Sequence, residues 1–287
     1  MANLADLESK IKTILFWQQQ NLASSTFASK KSIINDYLKY IQKNQLEIDK
    51  FSVMSYLSDY QKTHKKYSTY VVLKHLRKFL KDLEIDNNIQ SIRVSIDDID
   101  MHAMPDEDVI KLIHAKYSYE PYLRGVICLA TTYGLRRIEI QKIKKSDIDL
   151  KNKKIFIDTA KRGVKRWMLI PDEIIGVLAD FKEDIKQVSV TDLSFLFHKA
   201  CYLADIKTKK WYGYHAIRRA LINNLTLSGL DDFTIAKFFR WRKSYSAYSP
   251  VTFEILNRYR QSMDNEDIIK EIDQKVFKIH PFIKEWL

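Results

Sequence analysis

Two stretches far apart in this chain, Tyr133-Gly134-Leu135-Arg136-Arg137-Ile138-Glu139 and His215-Ala216-Ile217-Arg218, each put arginine where a helical segment begins. A guanidinium is a planar fork that holds two oxygens of one phosphate and keeps its charge near neutrality. Two converging arginines would therefore clamp a phosphoryl centre and stabilise it while it gains negative charge. The phosphate of a nucleic-acid backbone suits such a clamp, and Arg137 is an adjacent competitor for Arg136.

The bulk composition agrees with a polyanionic partner. The chain has 287 residues, with 48 Lys and Arg against 36 Asp and Glu, a net charge of +12, and its pI is about 9.4. Such a balance favours DNA, and 16 tyrosines and 5 tryptophans add groups that pack on sugars or bases. A merely solvated cationic surface is the competing reading. Cys128 and Cys201 belong to no Cys-x-x-Cys pair or Cys/His cluster, so neither structural zinc nor a disulfide framework is expected. No GxxxxGK loop and no two-metal carboxylate pattern occurs, and no cofactor is expected. The N-terminus lacks a signal-peptide pattern, and no apolar run approaches the roughly 20 residues of a membrane helix. These features predict a soluble protein of the cytoplasm with no membrane partner.

The length predicts two domains. From Leu4 to about Leu83, apolar residues recur at three- and four-residue spacing, as in Ile33-Ile34-Tyr37-Leu38-Ile41 and Tyr70-Val71-Leu73-Leu76-Phe79-Leu80. Four or five short helices fit, with starts at Ser25-Thr26, Asp49 and Ser68-Thr69. Lys74, His75, Arg77 and Lys78 interleave with the last stripe and could lie along phosphates. The stretch Asp86 to Asp106 loses periodicity and reads as a linker, and Pro105 at a first helical position then opens a new helix. Further on, Leu123 to Ala130 and Arg136 to Ile143 read as helices. Lys154 to Asp158 and Arg166 to Ile170 read as strands of a hairpin closed by a tight turn at Lys161-Arg162-Gly163. Helices resume at Pro171. Gly134, Gly163, Gly213 and Gly229 are expected to form turns that aim side chains.

The ordered set Gly134-Leu135-Arg136 with Glu139, the lysine hairpin, and His-x-x-Arg resembles the tyrosine recombinase, or phage integrase, family. The resemblance covers nearly the whole chain. It implies a mostly α fold with a small antiparallel sheet: a helical core-binding (SAM-like) DNA-binding domain with linker over 1–98, then a mixed α/β tyrosine-recombinase catalytic domain over 99–287. Arg136 and Arg218 would hold the nonbridging oxygens of a scissile phosphate. Lys161 would protonate the departing 5′ oxygen, with Lys165 its rival, and His215 would serve as an acid/base group or hydrogen-bond donor. Glu139 is read as a partner for a motif arginine or a backbone amide.

A fifth position, histidine or tryptophan in that family, follows a Gly-x-Asp segment and a short apolar helix. Gly229-Leu230-Asp231 with Ile235, Phe238 and Phe239 reproduces this layout, which makes Trp241 the candidate and core packing its alternative. Arg240 stands where the family usually has glycine. The nucleophilic tyrosine usually comes about nine residues later, near Ser249-Pro250, where this chain has none. Tyr259 is favoured over Tyr248, with Tyr245 a third candidate and an ordinary packing role for Tyr259 the rival reading. A phenolate attacking phosphorus forms a 3′-phosphotyrosine that a 5′ hydroxyl can reverse without ATP or metal.

The resemblance thus implies a site-specific DNA recombinase or integrase acting on double-stranded DNA as a homo-oligomer, dimer to tetramer. A type IB topoisomerase-like enzyme and a catalytically inactive DNA-binding relative are the alternatives. The mobile-element-like chemistry implied by the resemblance, together with the lysine- and isoleucine-rich composition, points to a virus or plasmid in a prokaryotic host. The apolar pattern from Ile268 to Leu287 predicts a terminal helix, docked on a neighbouring protomer or packed on its own domain.

Overall fold

A computed structural model describes residues 4–95, 102–159, 163–241 and 266–287. The chain divides into two compact units after Met101. Among its described residues the first has four helices, α1 (Leu4–Asn21), α2 (Ser24–Asn44), α3 (Lys50–Thr63) and α4 (Lys66–Asp82). Their apolar stripes meet in one core of Ile34, Tyr37, Val53, Leu73, Leu76, Phe79 and Leu80. Asp49 caps α3 as its sequence position predicts: the Ser52 amide donates to its carboxylate at 2.7 Å, and the Ser52 hydroxyl accepts from the Asp49 amide.

The other two helix starts differ from expectation. Helix α2 begins at Ser24 with no side-chain cap, and α4 begins at Lys66, ahead of Ser68-Thr69. The Thr69 hydroxyl donates backward to the Lys65 carbonyl within the helix and is buried, so its oxygen does not cap. Along α4, Lys74 and Lys78 are exposed while His75 and Arg77 are half-buried. Tyr70, Lys74, Arg77, Lys78 and Lys81 line an open groove of about 460 Å³. The first part of the supposed linker is not free chain, since Ile89 lies in the core of the first unit.

In the second unit, α5 (Asp106–His114) starts after Pro105, which stands just outside the helix rather than at its first position. Asp106, Glu107 and Asp108 fill the first turn, where the free amides favour negative charge. Helix α6 (Pro121–Tyr133) is the central element, buried from Tyr122 to its end except Arg124. The short α7 (Arg137–Lys142) follows, then a three-stranded antiparallel sheet of β1 (Ile148–Asp149), β2 (Lys154–Ile157) and β3 (Arg166–Leu169). The hairpin is as the alternation predicts. Its pairing runs as far as Ile157 with Arg166, and of the tight turn expected at Lys161-Arg162-Gly163, Lys161 and Arg162 lie outside the described residues. Strand β1 was not predicted, for two residues carry too little alternation to register.

Helices α8 (Ile175–Glu183), α9 (Val190–Leu203), α10 (Tyr214–Leu227) and α11 (Asp232–Phe238) complete the surround of α6. Of the four glycines singled out, Gly134 and Gly229 adopt left-handed backbone, whereas Gly163 and Gly213 do not. The fold is mostly α with a small antiparallel sheet, as the sequence predicts.

After residue 265, α12 (Glu266–Lys278) packs on α11 and β3, and a 3-10 turn (Ile283–Trp286) closes against α5 and α6. The tail therefore folds on its own unit, the second of its two expected arrangements. Trp286 donates its indole N–H to the Thr131 hydroxyl at 3.2 Å, and Asp273 receives the Arg166 guanidinium at 2.7 and 3.0 Å. His280 is buried, with Nε2 donating to the Thr132 carbonyl and Nδ1 accepting from the Phe282 amide.

That arrangement uses the neutral imidazole, and burial pushes the His280 pKa down from its ordinary value to about 4. Because the folded pKa lies below the unfolded one, the stability is present above pH about 6.5 and is lost as the unfolded chain alone takes up a proton. Between pH 7 and pH 5 the loss from this group amounts to about 2 kcal/mol. Urea unfolding of the second unit at the two pH values should show it, and His280→Gln should abolish most of that difference.

Candidate active site

Three helix ends define the site. Helix α6 stops at Gly134, whose φ of +57° suits glycine. A Cβ there would also sit 2.7 Å from the Phe239 ring and 3.3 Å from Cγ of Arg218. Glycine is thus required twice over, by backbone conformation and by close approach. The Gly134 carbonyl, free because the helix has ended, accepts from Nη1 of Arg218 at 2.6 Å. Nη2 of Arg218 donates to the Phe239 carbonyl at the end of α11, at 3.1 Å. The guanidinium lies over the Phe239 ring, 4.7 Å from its centre. Arg218 is buried.

Arg136 immediately precedes α7. Its amide donates to one oxygen of Glu139 at 2.9 Å, and its Nη1 donates to the other at 2.7 Å. Glu139 therefore serves both the arginine and the free amide, the two partners its position predicts. Arg136 is partly exposed, whereas Arg137 is exposed and donates to the Ser194 hydroxyl of α9. The structure thus turns Arg136 and Arg218 toward one region and sends Arg137 elsewhere. Burial first, then repulsion from Arg136 and Arg240, pushes the Arg218 pKa down to about 9. It remains cationic at neutral pH, and the depression is a sign of positive charge gathered in a dry place, which an anion would relieve.

Sequence reasoning treated Arg240 only as a departure from glycine. Helix α11 ends in the six-residue pattern in which the Trp241 amide donates to the Ala236 carbonyl and the Arg240 amide to that of Lys237. Arg240 consequently holds φ at +59°, a conformation that costs a non-glycine residue roughly 1 kcal/mol. Its side chain is wholly buried, with Nη2 3.6 Å from the Glu139 carboxylate. Burial pushes its pKa down to about 10, and the Glu139 carboxylate partly offsets this. An unusual residue at a left-handed position was the only available signal.

His215 stands on the first turn of α10, exposed, three residues before Arg218. Trp241 is half-exposed and stacks on Phe239, whose carbonyl Arg218 holds. The hairpin loop reaches the same place by its backbone, since the Val164 amide donates to the Arg240 carbonyl at 3.0 Å. Lys165 pairs with Asp158 at 2.8 Å on the surface. Lys161, Tyr245, Tyr248 and Tyr259 lie outside the described residues. Among the described residues, no group of three or more His, Cys, Asp or Glu side chains could hold a metal ion. The described side chains of the site form a cluster of arginines gathered about the buried Glu139.

The same arrangement of elements occurs in solved recombinases of low sequence identity. Lambda integrase bound to DNA has a TM-score of 0.63 at 18% identity, covering 85% of this chain and 94% of that one. A lambda integrase tetramer bound to a Holliday junction gives 0.64 at 14%, over 84% and 76% of the two chains. XerH site-specific recombinase bound to its difH substrate gives 0.59 at 16%, over 89% and 83%. These likenesses bear on the fold alone. Among curated proteins, none matches this sequence. Residues 102–249, which contain Gly134-Leu135-Arg136, the hairpin, His215-x-x-Arg218 and Trp241, match the description "Phage integrase family", and this chain belongs to that family.

Proposed function

We propose that this protein is a site-specific DNA recombinase or integrase that cleaves and rejoins double-stranded DNA through a covalent 3′-phosphotyrosine. The observation that carries the reading is the convergence of Arg218 with Arg136 around a single buried carboxylate, Glu139, in a pocket whose net charge is positive. A phosphodiester supplies the missing anion, and in its transition state it supplies more. Arg136 and Arg218 hold the nonbridging oxygens. A tyrosine oxygen, Tyr259 by preference over Tyr248, forms the new bond to phosphorus while the bond to the 5′ oxygen breaks. Lys161 passes a proton to that leaving oxygen, and His215 handles the proton of the phenol or donates to the phosphate. Trp241 donates its indole N–H to a phosphate oxygen.

The helices of the first unit, with their basic groove along α4, supply sequence-independent contacts to the DNA backbone. Solved relatives in fold include a dimer bound to a core site and a tetramer on a Holliday junction, which supports assembly of this chain on DNA from dimer to tetramer. No helix among the described residues is long and apolar enough to cross a membrane. Work in the cytoplasm of a host cell is consistent with a DNA substrate.

A nicked suicide duplex tests the reading, because loss of the short strand traps an active enzyme on DNA. Arg136→Ala should cut trapping by about 10²-fold or more while DNA affinity stays within about tenfold, since other cations carry most of the nonspecific binding. Arg218→Lys keeps the charge in the buried site but loses the fork, and it should cut trapping similarly. Wild-type trapping in both variants would refute the clamp. Tyr259→Phe should eliminate the adduct. If it persists there and disappears in Tyr248→Phe, the nucleophile is Tyr248. If no tyrosine is ever adducted, the chain is an inactive DNA-binding relative, and relaxation of supercoils without a preferred site would mark a topoisomerase.

A further inference from the structure

We propose that Arg240 is a positioning residue of the phosphate pocket: its buried guanidinium fixes the Glu139 carboxylate, and through it the Arg136 fork that receives the phosphate. The proposal rests on the reading of Arg136 given above. Residue 240 is the left-handed residue after α11, where glycine meets no steric cost, yet the chain places there the largest wholly buried side chain among the described residues. Nη1 donates to the Phe238 carbonyl and to the Met168 sulfur, but Nε and Nη2 have no hydrogen-bond partner. A guanidinium kept under those conditions acts mainly through its charge.

The charges around it show where that charge is used. From β3 comes Arg166 and from α12 comes Asp273, and these two hold each other by paired bonds of 2.7 and 3.0 Å. From α6 comes the Tyr133 hydroxyl, which is committed to the Leu169 carbonyl. From α10 comes Arg218, which repels. Glu139 of α7 is left as the anion that Arg240 faces, 3.6 Å from Nη2, and Glu139 in turn holds both the amide and Nη1 of Arg136. Two cations flanking one buried carboxylate keep it ionised: burial raises the Glu139 pKa, and Arg240, then Arg136, more than offset this, leaving it below its ordinary value. Removing the Arg240 charge raises that pKa. Glu139 then takes up a proton at higher pH and releases Arg136. The backbone of residue 240 has a separate task, since its carbonyl holds the Val164 amide of the loop containing Lys161, and this bond survives any side-chain change.

The test uses the full chain with Arg240→Lys, Arg240→Met and Arg240→Gly. Lysine keeps the charge and methionine keeps the bulk without it. Glycine suits the left-handed turn, so a folded charge-free variant is available even where methionine is not tolerated. Single-turnover cleavage of the nicked duplex is followed against pH, together with DNA affinity. Methionine and glycine should slow cleavage by roughly tenfold or more through displacement of Arg136, and move the acid limb of the rate profile to higher pH, with affinity changed by less than about threefold. Lysine should restore both rate and limb. Methionine matching wild type, or lysine failing as badly as methionine, would overturn the proposal. Carbon NMR titration of the Glu139 carboxyl, assigned by its loss in Glu139→Gln, gives a second reading without DNA. If wild type forms no adduct, the function assigned above fails, and this titration alone decides Arg240: an unchanged Glu139 midpoint in the methionine and glycine variants sinks it.

Discussion

The second unit is organised around one cation held by the ends of two helices. Arg218 donates to the Gly134 carbonyl that ends α6 and to the Phe239 carbonyl that ends α11, groups that no amide inside those helices can reach. Helix C-termini carry partial negative charge, so a guanidinium neutralises both ends and is itself solvated by them. A carboxylate in the same place would have cancelled the charge. Carbonyl dipoles satisfy the donors while leaving the positive charge in force, as the proposed phosphate clamp requires.

The price of that arrangement is visible in its neighbours. Arg136, Arg218 and Arg240 share one buried carboxylate, and burial with mutual repulsion depresses the last two arginines. A core assembled for stability alone would not gather them, because each buried cation loses its hydration and gains only part of a counter-ion. Positive charge gathered in a water-poor place raises the energy of the site as it stands, and the phosphate proposed to bind there would relieve it.

How much of this was legible in the sequence depends on whether the controlling interaction is local. Gly134, Arg136 and Glu139 are a local unit of turn, helix start and amide partner, and their spacing specifies the geometry found. The hairpin and the buried helix after Pro121 follow equally from alternation and continuous apolarity. Misread features depend on distant partners. Thr69 bonds backward because its helix is already under way, Ile89 leaves the linker to fill a core, and β1 exists only because β2 offers it an edge. Arg240 looked like a flaw in a turn because the anion it faces, Glu139, stands about a hundred residues upstream. Lys161 and Tyr259 are named by resemblance alone and lie outside the described residues, and the packing of the tail on its own unit was one of two arrangements that its apolar pattern allowed equally.

The irregular spacing between Trp241 and the candidate tyrosines matters less in three dimensions than along the chain. The segment between Trp241 and Glu266 has its two ends on one body: the Trp241 amide is bonded to the Ala236 carbonyl of α11, and α12 lies on that same helix through Phe277 against Phe238 and Lys275 beside Asp231. Tyr259 is seven residues before α12, a distance the chain spans in at most about 25 Å, and Tyr248 is equally close in sequence to Trp241. Residues added between two fixed ends raise the entropy of closure only logarithmically. What the proposed nucleophile needs is reach to phosphorus, and a count of residues from the fifth position is a weak guide to that.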